Sequence, residues 1–441
     1  MMDYIVIVFA KLLGFLSALL GGGTNLPGEI ALRIRPNILK RLARGYHIVL
    51  ITGTNGKTTT ASLLQGIIKK AGKRAVSSIS GANLKTGVAA CLIKSFPLFR
   101  RVDGDYAVLE VDEAYMRHVT AAISPEVIAV TNLFPDQVDR YGAVDATLSL
   151  IEEACKNAPD ATLVLNGDEP IFGDFMEENR RFYFGFRVPI RAGETAEEGT
   201  LCKTCKTPYQ YAFSTFSGLG AYTCPSCGTK RPPLDLGIEK IESITEDSSV
   251  VLADGLRLSI PQAGAYNIYN ALCAASCARA LGISDEAIRE GIFGQESKFG
   301  RQENVRIENA EVRLILIKNP AGAEEAIASI LPEKEAVYVG VSLNDGLGDG
   351  TDVSWIYDTA FEKLKTMQIK GVLAAGTRCY DMAVRLKVAG LGYPMVFEDD
   401  ASLLEKLKGI DGKVYLFVNY TAMMQLRKFL YRKKYIKRLY F

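Results

Sequence analysis

Ile48-Val49-Leu50-Ile51-Thr52-Gly53-Thr54-Asn55-Gly56-Lys57-Thr58-Thr59 is the stretch that decides the fold. The apolar run reads as a buried strand, a glycine-bearing loop follows, and the pattern from Lys57 to about Ala71 is helical. Strand, Gly-rich loop and helix are the order in which a backbone wraps an anion. Glycines let main-chain atoms approach closely, and a helix start aims N–H groups at negative charge. Lys57 then suits a bridge between β- and γ-phosphates, and Thr58 suits a Mg²⁺ ligand. Gly53, Thr54, Asn55, Gly56, Lys57, Thr58 and Thr59 are thus the expected nucleotide-binding loop. The general phosphate-loop pattern carries a further glycine five positions before Gly56. Ile51 stands there instead, so the loop is a variant.

Outward from this loop, apolar runs at 105–111 and 127–132 alternate with helical stretches. That βαβ rhythm predicts a parallel sheet with helices on both faces. A small-residue helix is expected around 264–282. After about residue 306 a second α/β unit begins, with candidate strands at 313–318, 336–342, 370–375, 394–398 and 413–418. Helices at 323–331 and 400–408 lie between some of them, which makes a Rossmann-like domain. A chain of 441 residues is expected to divide into two or three domains. The expected division is a helical lead at 1–45, an ATP-binding domain at 46–305 with an insertion at 198–232, and a C-terminal domain at 306–441.

The insertion breaks the α/β rhythm. It contains Cys202-Lys203-Thr204-Cys205 and, eighteen residues on, Cys224-Pro225-Ser226-Cys227-Gly228. Two C-x-x-C pairs at this spacing form tight knuckles whose four thiolates close a tetrahedral site. A closed Zn²⁺ site leaves no position for substrate, so Cys202, Cys205, Cys224 and Cys227 are expected to hold a structural zinc. The other five of nine cysteines sit in apolar or helical contexts, which favours buried thiols and a reducing cytoplasm.

A net charge of +2 gives no electrostatic case for nucleic acid. The basic residues gather at the C-terminus, from Arg427-Lys428 through Arg432-Lys433-Lys434 to Lys437-Arg438. This run reads as a solvated last helix or as an attraction to anionic lipid. Tyr4 to Leu20 is almost wholly apolar, broken by Lys11, and shorter than the roughly 20 residues of a spanning helix. The start Met-Met-Asp lacks the basic region of a signal peptide. A helix packed on the fold is expected, with contact to a membrane surface as the second reading. Gly21-Gly22-Gly23 and Leu26-Pro27-Gly28 are expected to force a turn after it.

Further motifs resemble those of the Mur ligase family, which includes the peptidoglycan amino-acid ligases and folylpolyglutamate synthase. They are Val108-Leu109-Glu110-Val111-Asp112-Glu113, Thr131-Asn132-Leu133-Phe134-Pro135-Asp136-Gln137-Val138-Asp139, Leu165-Asn166-Gly167-Asp168-Glu169-Pro170, Ala265-Tyr266-Asn267-Ile268-Tyr269-Asn270 and Gly300-Arg301-Gln302-Glu303. The resemblance implies that Glu110 joins Thr58 on Mg²⁺, that Asn267 orients the adenine and that Arg301 reaches the nucleotide. One departure stands out: Gln137 occupies the slot where many members have a metal-binding His.

The four-cysteine insertion and the run Asn344-Asp345-Gly346-Leu347-Gly348-Asp349-Gly350-Thr351-Asp352 resemble the MurT branch of the family. Only about fifty residues precede the phosphate loop, too few for the separate UDP-binding domain of murein ligases. That branch implies a cytoplasmic, membrane-facing ligase for lipid II. ATP activates the D-glutamate α-carboxylate as an acyl phosphate, and ammonia from a class I-like glutamine amidotransferase subunit displaces the phosphate. Lys57 and Arg301 would clamp phosphate. Asp349, and after it Asp352, would serve the partner's catalytic Cys–His pair. Asp352 also suits a cap for a helix near Val353, whereas Asp349 is expected to be unsuited to that cap and better exposed. A folylpolyglutamate synthase-like amino-acid ligase and a non-catalytic scaffold are the alternatives. The zinc motif argues against the first, and retention of Lys57, Thr58 and Glu110 against the second.

Overall fold

The computed structural model describes residues 2–19, 25–78, 83–98, 102, 104–134, 144–190, 201–215, 218–245, 248–262, 264–294, 302–331, 333–346 and 349–436. They fall into two compact units, one before residue 297 and one after it.

The first unit opens with three helices, α1 (Met2–Leu19), α2 (Leu26–Ile34) and α3 (Ile38–Leu42). The α/β core follows as β1 (Tyr46–Thr52), α4 (Lys57–Lys70), β2 (Ala75–Ser77), α5 (Lys85–Ser95), β3 (Asp105–Glu110), α6 (Met116–Thr120), β4 (Val127–Val130), α7 (Val144–Lys156), β5 (Thr162–Asn166) and β6 (Arg181–Phe186). A hairpin of β7 (Gln210–Ser214) and β8 (Gly220–Thr223) stands apart. The unit closes with β9 (Leu236–Ile244), β10 (Ser249–Ala253), β11 (Leu256–Ile260), α8 (Ala265–Ala280) and α9 (Asp285–Phe293).

Nine strands form one sheet in the order β11-β10-β9-β6-β5-β4-β1-β3-β2. Pairing is parallel from β2 to β9 and antiparallel across β9, β10 and β11. The antiparallel end was not foreseen, because its strands alternate polar and apolar over short runs. β1 shows why the core strands are apolar at every position. Ile48 and Leu50 face one hydrophobic cluster, Val49 and Ile51 the other, and all four are buried. A parallel strand covered on both faces requires that. Because β1 lies between β3 and β4, its carboxyl end is a topological switch point, where ligands of open α/β sheets bind.

Leu26-Pro27-Gly28 does not force a turn. It starts α2, with Pro27 in the first helical positions, where its missing N–H costs nothing. Gly28 is there for close approach: a Cβ at this position would fall 1.9 Å from the Thr86 carbonyl oxygen. The glycines at 21–23 lie outside the described residues. The expectation that the apolar N-terminal helix packs on the fold holds, with Val6, Ile7 and Ala10 of α1 buried in the core. No described helix is long and apolar enough to cross a membrane.

The second unit runs β12 (Gln302–Ile307), β13 (Ala310–Leu316), α10 (Pro320–Ile330), β14 (Val337–Ser342), β15 (Ile369–Ala375), α11 (Cys379–Val388), β16 (Met395–Phe397), α12 (Asp400–Lys408), β17 (Gly412–Val418) and α13 (Tyr420–Arg432). The sheet order is β12-β13-β17-β14-β15-β16, parallel except for the edge strand β12. All five expected strands are present. The sixth, β12, begins at Gln302 and pairs with β13, so residues 302–305 belong to this sheet by their hydrogen bonds.

Candidate active site

The loop after β1 is fixed from three sides. Gly56 has φ +88° and Gly53 φ +123°, conformations that side chains disfavour. A Cβ on Gly56 would fall 1.9 Å from Oδ1 of Asn270, in the first turns of α8. The Asn132 side chain binds Asn55 twice, accepting from its N–H at 2.9 Å and donating to its carbonyl at 3.0 Å. Thr131 Oγ1 donates to the same carbonyl at 2.6 Å. Thr54 Oγ1 donates to the Phe134 carbonyl and accepts from its N–H. The loop therefore presents a shape set before any ligand arrives.

At the start of α4, Lys57 Nζ donates to the Gly53 carbonyl and forms an ion pair with Glu113 at 2.9 Å. Glu113 Oε1 also accepts the Gly53 N–H at 2.9 Å. Burial pushes the Glu113 carboxyl up, but the Lys57 ammonium and the Gly53 N–H outweigh it and hold the group below its ordinary value. A lysine that reaches for phosphate would stand exposed in an empty loop, but Lys57 does not. Its side chain is only 16% exposed, because the ion pair folds it onto the loop.

Sequence reasoning missed the role of Glu113, although it stands in the quoted acidic motif. The missed signal is Asp112, whose carboxylate accepts the Ala114 N–H. That cap starts a short 3₁₀ turn over Glu113–Tyr115 and places Glu113 among the loop's donors.

At the next residue, Thr58 Oγ1 donates to Glu110 Oε2 at 2.8 Å, as expected of two ligands for one ion. Glu110 Oε1 is buried without a hydrogen-bond partner. Burial raises the Glu110 carboxyl against the opposing effects of Thr58 and Lys57. An orphaned carboxylate oxygen beside a threonine hydroxyl is the oxygen donor set Mg²⁺ takes, so the residues fit that ion.

Asn267 is buried at the start of α8, and its Oδ1 accepts from Asn270 Nδ2 at 3.4 Å. Through Asn270 the expected adenine-side residue and the phosphate loop are neighbours. Thr59 is half-buried on the first turn of α4. Arg301 and Gln137 lie outside the described residues.

The cysteine insertion folds as two copies of one knuckle. Lys206 N–H donates to the Cys202 carbonyl, and Gly228 N–H to the Cys224 carbonyl. Both donors carry positive φ, +61° and +76°. Thr207 Oγ1 lies 3.4 Å from Cys205 Sγ, and Thr229 Oγ1 lies 3.1 Å from Cys227 Sγ. The repeat is therefore Cys-x-x-Cys-x-Thr, a longer signal than the pairs alone. All four Sγ atoms lie within 4.8 Å of one another. Four thiolates about 2.3 Å from a central Zn²⁺ would lie just under 4 Å apart, so the cage fits the ion. Burial raises the Cys202 thiol, but the Cys205 N–H, the Tyr209 hydroxyl and the Thr204 N–H outweigh it and bring the thiol down to about 5.

A charged link ties this module to the core. Arg231 donates to Asp168 at 2.7 Å, and the fully buried Asp168 accepts from the Tyr269 hydroxyl at 2.7 Å. Tyr269 belongs to α8, adjacent in sequence to Asn270.

In the second unit, the carboxyl ends of β14, β15 and β17 gather Asn344, Thr377 and Asn419 in one hydrogen-bonded cluster. Beside it, Gly346 and Gly350 exchange two backbone hydrogen bonds. Asp349 accepts the N–H of Tyr420 at 3.2 Å and of Thr421 at 2.6 Å. It thus seats the start of α13, a cap the sequence did not reveal because helix and carboxylate are far apart in the chain. Asp352 accepts the Ser354 N–H at 2.8 Å, which lowers its carboxyl below the usual value. That is the local cap expected of it. The expected order of exposure is reversed: Asp352 is exposed and Asp349 half-buried, because α13 covers one side of Asp349.

The profile of the Mur ligase middle domain matches residues 51–204, and that of the MurT ligase C-terminal domain matches residues 316–423. The chain is 38% identical to the lipid II isoglutaminyl synthase subunit MurT of Streptococcus pneumoniae, over 96% of both chains. The chain belongs to the MurT family. MurT of Staphylococcus aureus strain COL is 34% identical over 91% of both chains. In fold, this MurT-family chain is similar to a pseudomurein peptide ligase type C from Methanothermus fervidus. The TM-score is 0.70 at 21% identity, over 90% of this chain and 80% of that one.

Proposed function

We propose that this chain is the ligase subunit of a lipid II isoglutaminyl synthase, amidating the D-glutamate α-carboxylate of the stem peptide. The observation that carries the reading is the assembled pair of pairs, Lys57 with Glu113 and Thr58 with Glu110, in a chain that matches MurT nearly end to end.

ATP supplies the leaving group that a free carboxylate lacks, and Mg²⁺ spreads the developing charge. The chain's residues supply position and electrostatics. The Gly53, Thr54 and Asn55 N–H groups are held by Glu113 and Asn132, so the start of α4 is what presents N–H groups to the phosphates, and Lys57 clamps them. Thr58 and Glu110 hold the metal, and Asn267 orients the adenine. Glu113 holds the Lys57 ammonium at the loop. The four-cysteine cage holds zinc.

Ammonia then attacks the acyl phosphate, giving D-isoglutamine. Its source is a class I-like glutamine amidotransferase subunit, whose catalytic His would be oriented by Asp349. The two N–H groups of α13 support this choice, because they fix the carboxylate's direction. Asp352, more exposed and tied only to Ser354, is the second candidate. The reaction belongs in the cytoplasm at the inner face of the membrane. The test is ATP hydrolysis by purified protein that depends on both ammonia and lipid II, with the amide read by mass spectrometry. Hydrolysis indifferent to either co-substrate would overturn the reading.

A further inference from the structure

The helix α1 is apolar all round, yet only one side of it is covered. Val6, Ile7 and Ala10 are buried against the body, where α1 packs on α2 and α5. The opposite side carries Met2, Ile5, Phe9, Leu12 and Leu16, spaced by three and four residues and 48–63% exposed, with Phe15 beside them at 66%. That spacing places all five on one stripe of a helix. Together they expose roughly several hundred Å² of contiguous apolar surface, at or above the largest patch of an ordinary soluble monomer.

Neither charged residue of α1 enters the stripe. Asp3 pairs with Arg35 at 2.9 Å, and Lys11 donates to the Lys94 carbonyl at 2.8 Å. Along the helical lead that begins with α1 the charge is one-sided. Residues 1–45 hold six basic and two acidic side chains, in a chain whose whole net charge is +2. Arg33, Arg35, Lys40, Arg41 and Arg44 are all exposed.

We infer that α1 is a membrane-surface anchor, lying in the plane of an anionic bilayer with its Met2–Leu16 stripe sunk among the acyl chains. An uncharged apolar stripe in a lead rich in exposed basic residues is the composition of a segment that lies on an anionic membrane surface. The buried inner side, fastened through Val6, Ile7 and Ala10, keeps the helix on the protein rather than across the bilayer. In serving a lipid-linked substrate the anchor rests on the function proposed above, and its binding to lipid is a separate measurement.

The test is sedimentation of the full chain with phosphatidylcholine vesicles, with and without phosphatidylglycerol. The comparison variant is Ile5→Ser/Phe9→Ser/Leu12→Ser/Leu16→Ser, whose four sites are all exposed. The expected result is binding that phosphatidylglycerol strengthens and that the variant loses by about tenfold or more at unchanged melting temperature. Lys40→Ala/Arg41→Ala/Arg44→Ala should remove only the phosphatidylglycerol dependence. Ammonia-driven amidation of detergent-solubilised lipid II should be equal in wild type and the serine variant. Its absence in both would count against the proposed function, while the vesicle result still judges α1. Equal vesicle binding by the serine variant would overturn the anchor. So would a concentration-dependent dimer that the serine substitutions abolish without any vesicle binding, because the stripe would then face a second copy.

Discussion

At the residue scale, Lys57 and Glu113 are a pair that cannot be dissected one side at a time. Lys57→Ala removes the phosphate clamp and leaves a buried carboxylate whose only other donor among the loop atoms is the Gly53 N–H. The variant should lose amidation and also about 3 kcal/mol of stability, the low end for a broken buried pair. Lys57→Ala/Glu113→Gln should recover most of the melting temperature and none of the activity. Equal melting of Lys57→Ala and wild type would show that the pair contributes nothing to stability.

Glu169 offers a second test. It is fully buried, its Oε1 accepts the Leu133 N–H at 2.9 Å, and its Oε2 has no hydrogen-bond partner. Burial raises its carboxyl from 4.5 to about 8, against the smaller pull of the Leu133 N–H. Between those values the folded chain keeps a proton that the unfolded chain releases. Stability from this group is therefore full below about pH 4.5 and falls as pH rises toward 8, by about 1.4 kcal/mol per unit. Glu169→Gln should flatten that part of the melting-temperature profile between pH 5 and 8. Superimposable slopes in the two proteins would rule Glu169 out as the cause.

At the scale of elements, the four-cysteine module shows what spacing reveals and what it hides. Two C-x-x-C pairs foretold the cage, because four thiolates at that spacing have few other uses. Their attachment was invisible, since Arg231, Asp168 and Tyr269 meet only when the segments after β8 and β5 come together with α8. Cys224→Ser should release zinc and lower the melting temperature, with metal content measured alongside. A zinc-free protein that melts as before after chelation would refute a structural metal. Arg231→Ala should also destabilise, because Asp168 is then left buried without its cation. The antiparallel β9–β11 end was missed for the opposite reason: short strands of mixed polarity show no period long enough to read.

At the scale of the whole molecule, the two α/β units were legible because apolar runs of strand length recur between helical stretches. The phosphate loop was legible because glycines, lysine and threonine stand in a fixed register after β1. The surroundings of Asp349 were not, since its partners Tyr420 and Thr421 come from the last helix. Asp349→Asn keeps one acceptor for those N–H groups and removes the charge. It should leave ammonia-driven amidation intact and cripple glutamine-driven amidation in the complex with the glutaminase. Wild-type rates from both nitrogen sources would exclude Asp349 and make Asp352 the next to change.

The contact between Gly56 and Asn270 has a consequence for how such chains can diverge. With no room for a Cβ at position 56 while asparagine stands at 270, the two positions drift as one. A lineage that enlarges residue 56 must shorten residue 270 and also bear the strain of a side chain at φ +88°, and the intermediate gives up a neighbour of the adenine-side asparagine. The phosphate loop and the helix α8, far apart in the gene, thus limit each other's choice of residue. A chimera that brings a larger residue 56 from one parent against asparagine 270 from the other should fail even when each half comes from an active parent.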